Sequence, residues 1–173
     1  DRRYQKIREK YSPNFGFKSL FIIFIFQAAL ASIVSLSVVA VMDGKNDSSS
    51  IGYIEYFAIV IWTIGFLYES IADWQLAKFK SDEGNANKVM DIGLWRNTRH
   101  PNYFGETLIW WGFYLYAFNS GPWWIIVSPL LMSWLLLKFS GVVMLEEEIA
   151  KRRPKYQTYI EKTNAFFPGR GKD

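Results

Sequence analysis

The chain has 173 residues, half of them hydrophobic and 18% aromatic, with a formal net charge of +4, one histidine and no cysteine. The missing cysteine excludes a disulfide framework, thiolate metal ligands and cysteine nucleophiles. A zinc site built on one histidine would need mostly carboxylates, so no metal centre is expected. The length fits one domain, residues 1–173. The opening DRRYQKIREK has neither a Met nor a signal peptide, which sets the expectation that part of the protein lies upstream.

In chain order, four apolar windows approach the roughly 20 residues a helix needs to cross a bilayer. They are Phe17–Met42, Ile51–Ala72, Tyr103–Asn119 and Pro122–Leu145, the third being short. Asp43–Ser50 and Asn119–Pro122 are brief turn-forming links, while Asp73–Asn102 is a long charged loop. Of the 20 Lys and Arg residues, six fall in 1–18, five in that loop and seven after Leu145. An even number of spans puts both termini and the loop on one side, and the positive-inside rule makes that side cytoplasmic. The predicted fold is therefore all-α, a polytopic integral-membrane bundle of four spans belonging to a larger bundle. Residues 146–173 read as an amphipathic tail on the cytoplasmic surface, where Ile149, Tyr156, Tyr159 and Ile160 dock against lipid or the basic loop. Lys151, Arg152 and Arg153 meet anionic lipid or a cofactor.

Three acids are predicted at one depth. Glu69 and Asp73 are four apart and share a helix face, and Glu106 lies about one turn inside the third span. Ionisable groups in a membrane are costly and mark functional sites by default; Glu55, near the opposite face, reads as interfacial only. In GLWRNTRHPNYFGE (Gly93–Glu106), Pro101 suits the first position of a helix and makes His100 its N-cap. The positive end of that helix beside Arg96 and Arg99 is an anion site with a phosphate as its natural guest. Lys78, Lys80 and Lys88 add charge, and no glycine-rich Rossmann fingerprint occurs. Trp110, four residues after Glu106, is placed to wall a flat ligand, whereas Trp123 and Trp124 read as an outer aromatic belt.

This stretch, preceded by ESIADWQLAKFK and followed by KRRPKYQTYIEKTNAFFPG, resembles the steroid 5-alpha-reductase C-terminal-like membrane proteins from about Trp62 to Gly169. The resemblance implies an NADPH-dependent ene reductase with the cofactor between the cytoplasmic loops and the bundle, and additional spans upstream. By position, Asp73 matches a cofactor-contacting Asp, and Asn102, Glu106 and Trp110 match the Asn, Glu and Trp around nicotinamide and substrate. Glu69 stands where steroid reductases have Asn. Lys80 and Lys88 replace phosphate-contacting arginines, keeping charge but losing the planar fork. An acid–Tyr pair that holds the substrate carbonyl comes from upstream helices in steroid reductases. The RHPNY motif and the EEE…Y..Y tail also resemble isoprenylcysteine and phospholipid methyltransferases, which bind S-adenosylmethionine.

The leading expectation is an integral-membrane reductase that uses NADPH on a conjugated C=C bond of a steroid-like or other lipidic enone. The alternatives are an adenosylmethionine-dependent methyltransferase with a lipidic acceptor and a non-enzymatic sterol- or lipid-binding module. Glu106 and Tyr103 are the candidate catalytic groups, and Trp110 and Tyr114 the substrate contacts. Glu69, Asp73, Lys80, Lys88, Arg96, Arg99, His100, Asn102 and Glu106 are the candidate cofactor contacts. The implied partners are a lipidic substrate, the membrane and upstream helices, not nucleic acid.

Overall fold

A computed structural model describes residues 8–43, 51–139 and 155–170, together with positions 5, 146, 149, 150 and 153. Among these residues all regular structure is helical. Helix α1 (Phe15–Val34) is an apolar run with a π-helical stretch at Leu20–Ile25. The predicted first span is not continuous. It is interrupted at Ser35, whose hydroxyl donates to Ser32 O while Ser32 donates to Ala28 O. Hydroxyls bonded back onto their own helix bend it, and α2 (Leu36–Met42) resumes beyond. Most of the Asp43–Ser50 link, with Lys151 and Arg152, lies outside the described residues.

Helix α3 (Tyr53–Ser81) runs nine residues past the predicted end at Ala72. No Gly or Pro stops it, and Ala72, Leu76 and Phe79 continue an apolar stripe that packs on Met90, Leu94 and Trp95. It ends where the Asp82 carboxylate accepts hydrogen bonds from Gly84 N and Asn85 Nδ2. Asp73 is thus a helix residue, not a loop residue. Helix α4 (Pro101–Ala117) opens on Pro101 as predicted, since proline loses no hydrogen bond at the first helical position. It packs along α3 with glycine against glycine. A Cβ at Gly105 would sit 2.5 Å from Glu69 N, and one at Gly65 would sit 2.7 Å from Gly105 O. Only two facing hydrogens let the backbones approach so closely, and that approach sets Glu69 beside Glu106.

Helix α5 (Val127–Trp134) follows a 3-10 turn at Trp123–Ile126 and continues as π-helix through Phe139. Ser128 donates to Val34 O at the junction of α1 and α2, and Tyr114, Ala117 and Ile125 form the core at this end. Here too Glu55, predicted to be merely interfacial, is buried and accepts from Asn119 Nδ2 at 3.0 Å.

Among the described residues two helices, not four, are long and apolar enough to cross a membrane: α1, with 20 residues, and α3, with 29. The α4 helix has 17 residues, about 25 Å at the usual rise. It is bounded by Pro101 and the Asn119–Pro122 turn. Trp123–Lys138 is also short of the length required. In α1 and α3 only 11% and 17% of the apolar window is buried, whereas a core helix of a soluble protein is mostly covered. Phe21, Phe24, Phe57, Val60 and Leu67 are among the side chains left facing outward.

Candidate functional site

The polar end of the α3–α4 pair carries the candidate site. Glu69 and Asp73 project from the last part of α3; Asn102, Glu106 and Trp110 follow one another at four-residue spacing on α4. Asn102 Nδ2 donates to Asp73 Oδ1 at 3.0 Å, tying the two helices together. Glu106 lies within electrostatic reach of both Glu69 and Asp73, with the Trp110 indole beside it. Three carboxylates at one level repel one another and leave acceptor oxygens in excess. Such a site favours a guest that brings N–H or O–H donors or positive charge. Asn102 Oδ1 accepts its neighbour's Tyr103 N, so the amide is held at both ends.

The residues just before Pro101 serve a purpose that local sequence did not suggest. Arg99 is buried, with its Nε and Nη2 forking onto Glu146 at 2.7 and 3.1 Å and its Nη1 donating to Ile160 O and Thr163 O. The ring of His100 is 2% exposed. Its Nε2 lies 2.9 Å from Glu146 Oε1, and because an ionised carboxylate only accepts, Nε2 carries a proton. His100 occupies the N-cap position of α4 without making a side-chain cap bond. The guanidinium and imidazole assigned to an anion by sequence are turned inward and spent on Glu146 and on tail carbonyls. Burial alone would push the Glu146 carboxyl up. Hydrogen bonds from His100 and Arg99, with their charge, outweigh that and hold it below the ordinary value.

Backbone contacts complete this clamp. Arg99 N donates to Asn164 O, Thr98 Oγ1 to Phe166 O and Gly169 N to Asn97 O. Tyr159 of α6 (Lys155–Lys162) donates through its hydroxyl to Trp95 O, and Tyr156 is buried beside it. Of the two predicted docking surfaces, Tyr159 uses the basic loop. Arg153 donates to Ala86 O and Lys88 O and so latches the loop from the other side.

Between the loop and α6 lies a cleft of about 1050 Å³ bordered by Lys88, Arg96, Lys155, Lys162 and Arg170, with Asp91 the one acid among its described lining residues. Lys88 also donates to Asn85 Oδ1. Lys80 does not share this cleft; it lines a smaller one of about 280 Å³ with Asn85, Met90 and Arg153. Of the remaining candidates, Tyr103 stacks on the His100 ring at 5.3 Å. Tyr114 is buried in the core with Ala117 and Ile125, about two helical turns beyond Glu106. Lys155, Lys162 and Arg170 were missed as site residues. The seven-residue spacing of the two lysines, two turns on one helix face, was the available signal.

Among the described residues the fold and site define an all-helical bundle with outward apolar faces, a cluster of carboxylates at one end and a basic cleft beside it. The chain belongs to the family described as a protein of unknown function (DUF1295), whose model matches residues 1–163. A relative from Schizosaccharomyces pombe, described as uncharacterized protein C594.04c, is 27% identical over 175 residues, covering 86% of this chain and 48% of its own length. The chain thus spans about half the length of that relative. No solved structure matches it.

Proposed function

We propose that this chain is the cofactor-binding part of an integral-membrane, NADPH-dependent reductase acting on a conjugated C=C bond of a lipidic enone. The observation that carries the reading is the Asn102–Asp73 bridge with Glu69 and Glu106 beside it. A nicotinamide carboxamide needs both a donor and an acceptor, which this cluster offers without a Rossmann fold. The basic cleft suits the phosphates. Asn97, on that cleft, and Asn102 are five residues apart, at most about 18 Å of chain, so one extended dinucleotide can address both. NADPH, when bound, supplies the hydride for the β-carbon of the enone. Asn102 and Glu106 orient the carboxamide, Asp73 fixes Asn102, and Trp110 borders the substrate and excludes water. The resemblance to steroid 5-alpha-reductases supports the same assignment, and the outward apolar faces of α1 and α3 support placement in a membrane.

The methyltransferase reading draws on one specific feature: a sulfonium cation also suits three carboxylates. Adenosylmethionine carries no phosphate, however, and leaves the five-cation cleft without a guest. Titration of the purified chain with NADPH and with adenosylmethionine separates the two. Binding of adenosylmethionine with no response to NADPH would overturn the reductase assignment.

Two further outcomes are expected. Lys88→Ala should weaken NADPH binding, with a loss that grows as salt falls, because low salt strengthens the attraction removed, whereas Lys80→Ala, outside the large cleft, should change it less. An affinity equal to wild type for Lys88→Ala would return that lysine to a topological role. Single cysteines at Ser49 and Ser81 should label from opposite sides of the membrane, since the basic clusters lie with Ser81. Labelling from one side would sink that topology.

A further inference from the structure

The cations around the large cleft are not equivalent. Lys88 is partly engaged by Asn85, and Arg96 stands on the segment that leads directly to Asn102. Lys155, Lys162 and Arg170 lie on the opposite wall, and among the described residues none of their side chains has an ion-pair or hydrogen-bond partner. That wall is held in place. Tyr159 is bonded to Trp95 O, Arg99 to Ile160 O and Thr163 O, and Gly169 N to Asn97 O. Three unpartnered cations on a pre-positioned wall, facing two more across a cleft, concentrate positive potential where one dianion would relieve it.

We propose that Lys155, Lys162 and Arg170 form a phosphomonoester subsite, which reads the phosphate on the adenosine ribose and selects the phosphorylated over the unphosphorylated dinucleotide. Resting on the reductase reading, it divides the cleft. Lys88 and Arg96 lie on the side leading to Asn102 and take the pyrophosphate, while α6 and Arg170 take the monoester beyond it. A monoester carries close to two negative charges at neutral pH, and charge-assisted hydrogen bonds are about twice as strong as neutral ones. The same chemistry would accept the monoester headgroup of an anionic lipid, so the ligand's source must be separated by experiment.

The full chain in nanodiscs of neutral phosphatidylcholine is titrated with 2′,5′-ADP, 5′-AMP, NADPH and NADH, with binding read calorimetrically. The expected result is that 2′,5′-ADP binds about tenfold or more tighter than 5′-AMP, from one or two charge-assisted bonds, and that NADPH displaces it. In Lys155→Ala/Lys162→Ala that ratio should fall toward one with an unchanged circular dichroism spectrum, since both side chains are exposed. Equal affinity for 2′,5′-ADP and 5′-AMP, or a ratio unchanged in the variant, overturns the subsite. If NADPH and NADH still bind equally well, the reductase reading survives that failure; if neither dinucleotide binds, the reading fails as well. A response only to nanodiscs doped with phosphatidate, lost in the variant, reassigns the cleft to a lipid headgroup and also overturns the proposal.

Discussion

Glu146→Ala is expected to cost about 3–5 kcal/mol of stability, the usual consequence of removing one partner from a buried ion pair. The loss strands the buried Arg99 without a counter-charge and the buried His100 Nε2 without its hydrogen-bond partner. Arg99 also carries Ile160 O and Thr163 O, so the damage should spread to α6 and the cleft wall. Protease sensitivity after Lys155 should rise together with the drop in melting temperature. Glu146→Gln keeps the shape and one acceptor and should lose less. The same pair sets an acid limit. A carboxyl whose folded-state pKa is depressed stabilises the fold above its unfolded value of about 4.3. That contribution fades as pH falls through the lower folded value. Wild-type melting temperature should therefore decline below about pH 4, and Glu146→Gln should flatten this part of the decline. Equal melting temperatures for wild type and Glu146→Ala near neutral pH would show that the clamp holds nothing.

What could be read from sequence divides along physical lines. Pro101 announced the start of α4, and the four-residue spacing of Asn102, Glu106 and Trp110 placed them on one face, because proline geometry and helical period are local properties. The end of α3 lies nine residues beyond the expected one because charge alone does not end a helix. The stripe Ala72, Leu76 and Phe79 was visible but interleaved with Asp73, Lys78 and Lys80, and packing on Trp95 decided the matter. The clamp was not legible at all. Arg99 and His100 meet Glu146 across 47 and 46 residues, and no periodicity connects positions so far apart. For the same reason a local reading gave Arg99 to an anion, when a buried arginine beside an even more buried histidine needs a carboxylate first. The short helices α4 and α5 show a further limit: hydropathy locates apolar segments, but α4 ends at the Asn119–Pro122 turn.

Glu106→Gln is expected to preserve the fold and reduce turnover on the order of 10²-fold or more, the scale of a lost positioning or acid–base group. Glutamine keeps the length and one acceptor but replaces the other with a donor, so a carboxamide held by Asn102 would face an N–H where it needs an oxygen. The competing role for Glu106 would be an ion pair with Arg99 that serves stability alone. The structure gives Arg99 to Glu146 instead, and Glu106 faces Glu69 and Asp73. Removing one of three mutually repelling carboxylates should then leave the melting temperature unchanged or raise it slightly, the opposite of what loss of a salt bridge does. The experiment pairs thermal unfolding with NADPH oxidation in the presence of a lipidic enone, at matched amounts of folded protein. Asn102→Ala is the companion variant. It removes the donor to Asp73 Oδ1 and should weaken NADPH binding, whereas Glu106→Gln should act mainly on turnover. A lower melting temperature with full activity per folded molecule for Glu106→Gln would make Glu106 a structural residue and remove it from the site.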